Sequence, residues 1–169
     1  MHQVYIDLIM NVILEQFETE QKFLTDYLLV NEEEWNHWKK GEGNLTPEAM
    51  QKVKNLFSDY EWMLVQKMLR QTIIFPEKRT TAVAEYKQTK TKIAQKWLTS
   101  GAGTAEILPL EGNQPVNYLD LKVSIQYDKW GYDDILNFRL PAIVQQQIEG
   151  EKVELLDWVN NNLEETYVQ

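Results

Sequence analysis

Apolar and polar positions along the chain fall into two regimes. From residue 4 to about 99 the apolar residues recur at three- and four-residue intervals, the period of amphipathic helices. Tyr5, Leu8, Ile9, Val12, Ile13 and Phe17 predict a first helix over 4–17 with a broad apolar stripe, wide enough to pack on two neighbours or on a second subunit. Thr19 to Gly41 reads as two short helices joined at Leu29-Val30-Asn31. Phe23, Leu24, Tyr27 and Leu28 share a face of the first, and Trp35 and Trp38 are the core positions of the second. Asn31 with Glu34 three residues on has the form of a capping box, and Gly41 stands where a helix stop belongs. Thr46-Pro47-Glu48 opens a fourth helix with Met50, Val53, Leu56 and Phe57 on one face. Ser58 and Glu61 form a second capping box, opening a helix to about Gln71. Pro76 interrupts the pattern, and Thr80 or Thr81 caps a long helix to about Thr99. In that helix Val83, Tyr86, Ile93 and Trp97 are the expected buried face, with Lys87, Lys90, Lys92 and Lys96 lying mostly elsewhere.

Beyond Gly103 the period drops to two. Leu119, Leu121, Val123, Ile125 and Tyr127 alternate with Asp120, Lys122, Ser124, Gln126 and Asp128, which predicts a strand with one buried and one wet face. Ala105–Leu110 reads as an edge strand because of Pro109, and Leu136, Phe138 and Leu140 mark a third strand after a turn at Lys129-Trp130-Gly131. A helix from Pro141 to Ile148, ended by Gly150, and a last helix over 151–164 carrying Leu155, Leu156, Val159 and Leu163 complete the chain. The expected fold is α+β. A five-helix domain over 1–75 is followed by a linker and connecting helix over 76–103, then a small antiparallel sheet covered by helices over 104–169.

The order and spacing of the first five helices resemble the lambda-repressor-like DNA-binding domain of the Cro and phage 434 repressor type. The likeness spans roughly residues 11–69. It is carried by the helix, three-residue turn and helix of 19–41, the capped fourth helix, and Leu56 followed by Glu61-Trp62-Met63-Leu64. Thr25 stands where that family usually has a small residue, and Leu29 where it often has glycine. The resemblance implies a homodimer that binds operator DNA, with the start of the second motif helix meeting base edges in the major groove. Position by position, it makes Gln21, Glu32, Glu33 and His37 the base-facing residues and assigns Lys39 and Lys40 to phosphates.

Charge complicates that expectation. The 169-residue chain carries a net −9, which argues against non-specific binding of nucleic acid by the whole surface. Residues 65–100 hold eight basic and two acidic side chains, a net +6, which leaves −15 elsewhere. Glu32, Glu33 and Glu34 in succession can accept hydrogen bonds from cytosine amino groups but oppose phosphates. An acidic first turn is also ordinary helix chemistry. The alternative reading keeps the helix-turn-helix fold as a protein-interaction module without DNA binding, with a partner protein also possible for the C-terminal domain.

Other chemistry finds no foothold. The chain has no cysteine, so disulfides and thiolate metal sites are excluded. Glu34 and His37 sit at i, i+3 but have no matching pair, so no metal or other cofactor is expected. Ala102-Gly103 and Ser124 invite comparison with self-cleaving repressors, but the serine lacks its surrounding motif and its lysine. Gly101-Ala102-Gly103 lacks the rest of a phosphate loop. No catalytic residues emerge, and an enzyme is not expected. Asp7 interrupts the N-terminal apolar run, and no stretch approaches the roughly 20 apolar residues of a membrane span, so a soluble cytoplasmic protein is expected.

Overall fold

The computed structural model describes residues 2–109 and 117–168. Among these, eight helices and a three-stranded antiparallel sheet make an α+β fold. The chain divides into two compact units. One comprises Met1–Ser58 with Trp62–Tyr86, and the other Asp59–Glu61 with Lys87–Gln169.

In the first unit α1 (His2–Phe17) buries Val4, Ile6, Leu8, Ile9, Val12 and Ile13, so its apolar stripe is as broad as the sequence suggests. The first motif helix is not uniform. A single α turn, α2 (Glu20–Phe23), capped by the Thr19 hydroxyl, widens into a π turn over Leu24–Leu28. The Leu29 amide reaches back to the Leu24 carbonyl at 2.9 Å, and Leu29 itself adopts the left-handed conformation at φ 58°. Phe23, Leu24 and Leu28 are all buried. α3 (Glu32–Lys39) begins on the Asn31 side chain, whose Oδ1 accepts the Glu34 amide at 2.7 Å. α4 (Pro47–Lys54) begins on Thr46, whose hydroxyl accepts the Ala49 amide. Leu56 and Phe57 are buried as expected, but from the turn that follows α4. The next helix, α5 (Asp59–Ile74), outruns its expected end by three residues, and a 3₁₀ turn over Pro76–Thr80 follows it.

α6 (Ala82–Thr99) departs from the expected face. Its buried side chains are Ala82, Tyr86, Lys90, Ala94 and Leu98, one every four residues, with Thr91 beside them. Val83, Ile93 and Trp97 are only half-buried. Lys90, expected on the polar side, is 2% exposed. A charged group joins an apolar stripe only if it is paired, and Lys90 has such partners.

In the second unit the strands run β1 (Gly103–Pro109), β2 (Tyr118–Tyr127) and β3 (Tyr132–Pro141), with β2 in the centre. Leu110, the expected end of the first strand, lies outside the described residues. The buried face carries Leu119, Leu121 and Val123 opposite Leu140, Phe138 and Leu136. Ser124, expected on the wet face, is buried, and its hydroxyl shares a hydrogen bond with Thr104 across β1. Pro141 ends β3 instead of opening a helix, and α7 (Ile143–Glu151) runs through Gly150. The left-handed stop falls on Lys152, at φ 53°. α8 (Leu155–Val168) buries Trp158, Val159, Leu163 and Tyr167, while Leu156, expected inside, is exposed. The register of this helix is set by its aromatic residues.

The second unit is organised around a buried ion pair. Glu61, 3% exposed, accepts the Lys90 ammonium at 3.0 Å and the Asn137 backbone amide at 2.9 Å on Oε2. Lys90 also donates to the Asn137 carbonyl and to the Tyr167 hydroxyl, and lies over the rings of Phe138 and Tyr167 at 4.6 and 4.9 Å. The first turn of α5, α6, β3 and α8 thus meet at one ammonium group.

Candidate functional site

The residues assigned to DNA lie on and around α3, and aromatic packing holds that helix in place. Trp35 is fully buried, with its ring 5.4 Å from Phe23 and 5.0 Å from Trp38. Trp38 stacks edge-on with Tyr5 and His2 of α1. The indole N–H of Trp35 and the ammonium of Lys39 both donate to one carboxylate oxygen of Glu20, at 2.5 Å each. The His2 ring donates to the Lys39 carbonyl at 3.0 Å, near the end of the helix. Beyond it Gly41 takes φ 78°, a conformation open to glycine, and its amide closes onto the Trp38 carbonyl.

The first motif helix is braced from the other side. The Tyr27 hydroxyl donates to the Lys52 carbonyl at 2.8 Å, and the Lys52 ammonium donates to the Tyr27 carbonyl at 3.2 Å. This reciprocal pair ties the π turn to α4. Burial holds the Tyr27 phenol above its ordinary pKa, so it stays a neutral donor.

With Trp35 and Trp38 turned inward, Glu32, Glu33, Glu34, His37 and Lys40 are exposed. Gln21 is exposed on α2, and it lines with Thr25, Asn31 and Glu32 a depression of about 460 Å³ at the helix joint. Gln21 and Glu32 are thereby brought together. Lys39 is not grouped with Lys40. Its ammonium is held by Glu20 and its side chain is about three-quarters covered. The outward surface of α3 therefore presents three carboxylates, an imidazole and one ammonium.

Glu20 is invisible to a sequence reading because its partners lie 15 and 19 residues away, outside any local period. Its place in the first turn of α2 reads locally as dipole chemistry. Glu61 is hidden in the same way behind its capping position.

Among the described residues no three His, Cys, Asp or Glu side chains come together as a metal site. No described helix is long and apolar enough to cross a membrane. Neither a protein-family model, nor a curated protein, nor a solved structure matches the chain.

Proposed function

We propose that the chain is a cytoplasmic transcriptional regulator without catalytic activity, whose first unit is a lambda-repressor-like helix-turn-helix domain that binds operator DNA as a homodimer. The reading rests on one observation. A three-residue joint sets a capped, eight-residue helix with its two tryptophans buried and with Glu32, Glu33, His37 and Lys40 exposed beside Gln21. A helix held in this way presents its first turn to a groove. There Glu32 and Glu33 select cytosine, whose amino group donates to a carboxylate. Lys40 contacts phosphate.

A second reading has its own observation. With Lys39 held by Glu20, three exposed carboxylates face outward against one exposed lysine on this helix. That balance suits a protein partner, and the same fold then serves as an interaction module.

Fluorescence anisotropy with a pool of duplex fragments from the source genome separates the two. The regulator reading expects binding at low salt, and expects Glu32→Gln with Glu33→Gln to strengthen non-specific binding by removing charge that opposes the phosphates. No binding by either protein would leave the interaction module as the surviving reading.

A further inference from the structure

The face of the sheet that forms the second unit's core does not end where its cover ends. Strand alternation continues from Leu121 and Val123 through half-buried Ile125 to Tyr127 on β2, and from Leu136 through Asp134 to Tyr132 on β3. Tyr127 and Tyr132 are register partners with ring centroids 6.0 Å apart. They stand exposed, Tyr132 at 64%, and Trp130 in the connecting turn is 70% exposed. Three large rings at one hairpin end are unusual for a wet turn, where Gly, Asn, Asp and Ser prevail.

The surroundings give this surface a sign. Residues 126–134 contain Asp128, Asp133 and Asp134 against Lys129. Asp134 accepts the Tyr127 hydroxyl at 2.9 Å, a bond that orients the ring and raises the pKa of the phenol. Among the described residues Asp128 and Asp133 enter no ion pair. Together with Tyr127 and Tyr132 they line a recess of about 320 Å³. The turn is closed by the Trp130 and Gly131 amides, which both donate to the Tyr127 carbonyl, with Gly131 at φ 73°. The backbone of the turn and the Tyr127 ring are thus held before any partner binds, which lowers the ordering cost of docking.

We propose that this hairpin end is a docking site for a basic segment of a partner protein, taking one arginine or lysine head group in the recess of Tyr127, Tyr132, Asp128 and Asp133 and a neighbouring basic residue of the segment on the exposed ring of Trp130 in the same turn. Ring faces and carboxylates both attract cations, and Arg stacks on aromatic rings as well as pairing with carboxylates. Nucleic acid is disfavoured here, because the carboxylates would repel its phosphates. The site lies in the second unit, apart from the residues assigned to DNA, and stands whether or not the DNA reading holds.

The test uses the full chain and fluorescein-labelled hexa-arginine, read by anisotropy. General attraction to an acidic protein is separated from docking by changes that leave the charge intact. Trp130→Ala and Tyr132→Ala should each weaken binding about tenfold, with an unchanged circular dichroism spectrum expected for side chains so exposed. Asp128→Asn with Asp133→Asn should weaken it further and reduce its salt dependence. Equal affinity for the wild type and Trp130→Ala would overturn the proposal, as would no binding at all. Two other results would replace it: cellohexaose binding that depends on Trp130, pointing to a carbohydrate platform, or a Trp130-dependent dimer in sedimentation equilibrium that does not bind the peptide.

Discussion

The two units solve the same packing problem with different materials. Around α3 the first unit closes on rings and aliphatic side chains: Trp35 packs against both Phe23 and Trp38, and the carboxylate and ammonium beside it, Glu20 and Lys39, stay partly open to solvent. In the second unit the ions themselves go inside. Glu61 and Lys90 are nearly inaccessible and tie four segments together. A pair still partly open to water gives up less hydration, whereas a fully buried pair must recover a large desolvation cost through complete hydrogen bonding. Loss of Lys39 from the first arrangement costs little, loss of Glu20 leaves the Trp35 indole N–H without its acceptor, and loss of either ion from the second strands a buried charge. The second is also the more selective, because only one register of α6 brings Lys90 to the Asn137 carbonyl and the Tyr167 hydroxyl.

Substitutions can break this contrast from either side. Trp35→Ala removes the largest fully buried side chain among the described residues and leaves Glu20 with one donor fewer. It should cost about 3–5 kcal/mol, seen as a lower denaturation midpoint at unchanged slope. A loss below about 1 kcal/mol would mean that α3 is held by something other than its aromatic packing. Glu61→Gln should also cost about 3–5 kcal/mol, because it strands the Lys90 charge inside, and adding Lys90→Met should recover much of the loss. A double variant no better than the single would show that the pair is not the centre of the second unit. Both measurements are best followed by a probe specific to each unit, since two units need not unfold as one.

The N-caps at Asn31 and Thr46, the three strands and the broad stripe of α1 are legible in the sequence because each rests on residues close together in the chain. Asn31 and Thr46 act within three residues of themselves, and alternation in β2 and β3 is a property of neighbours. What is not legible depends on distant partners. A pattern that scores lysine as polar places Lys90 outside, and its burial depends on Glu61, Asn137 and Tyr167, 29, 47 and 77 positions away. The π turn over Leu24–Leu28 has no counterpart in the apolar spacing, which suits an ordinary α-helix equally well. At the candidate site the exposure of Glu32, Glu33, His37 and Lys40 can be read from helical spacing. The capture of Lys39 cannot, since Glu20 belongs to another helix.

That capture makes the two neighbouring lysines the sharpest probe of the proposed DNA interface. Lys40 is exposed and assigned to phosphate, while Lys39 is held by Glu20. Affinity for duplex DNA should be measured over a salt series for the wild type, Lys39→Ala and Lys40→Ala. The wild type should bind measurably at low salt. Lys40→Ala should show a log–log salt slope shallower by about 0.9 for each phosphate that the lysine neutralises. Lys39→Ala should keep the wild-type slope. Identical slopes for the wild type and Lys40→Ala, or no wild-type binding at low salt, would contradict the proposed DNA interface.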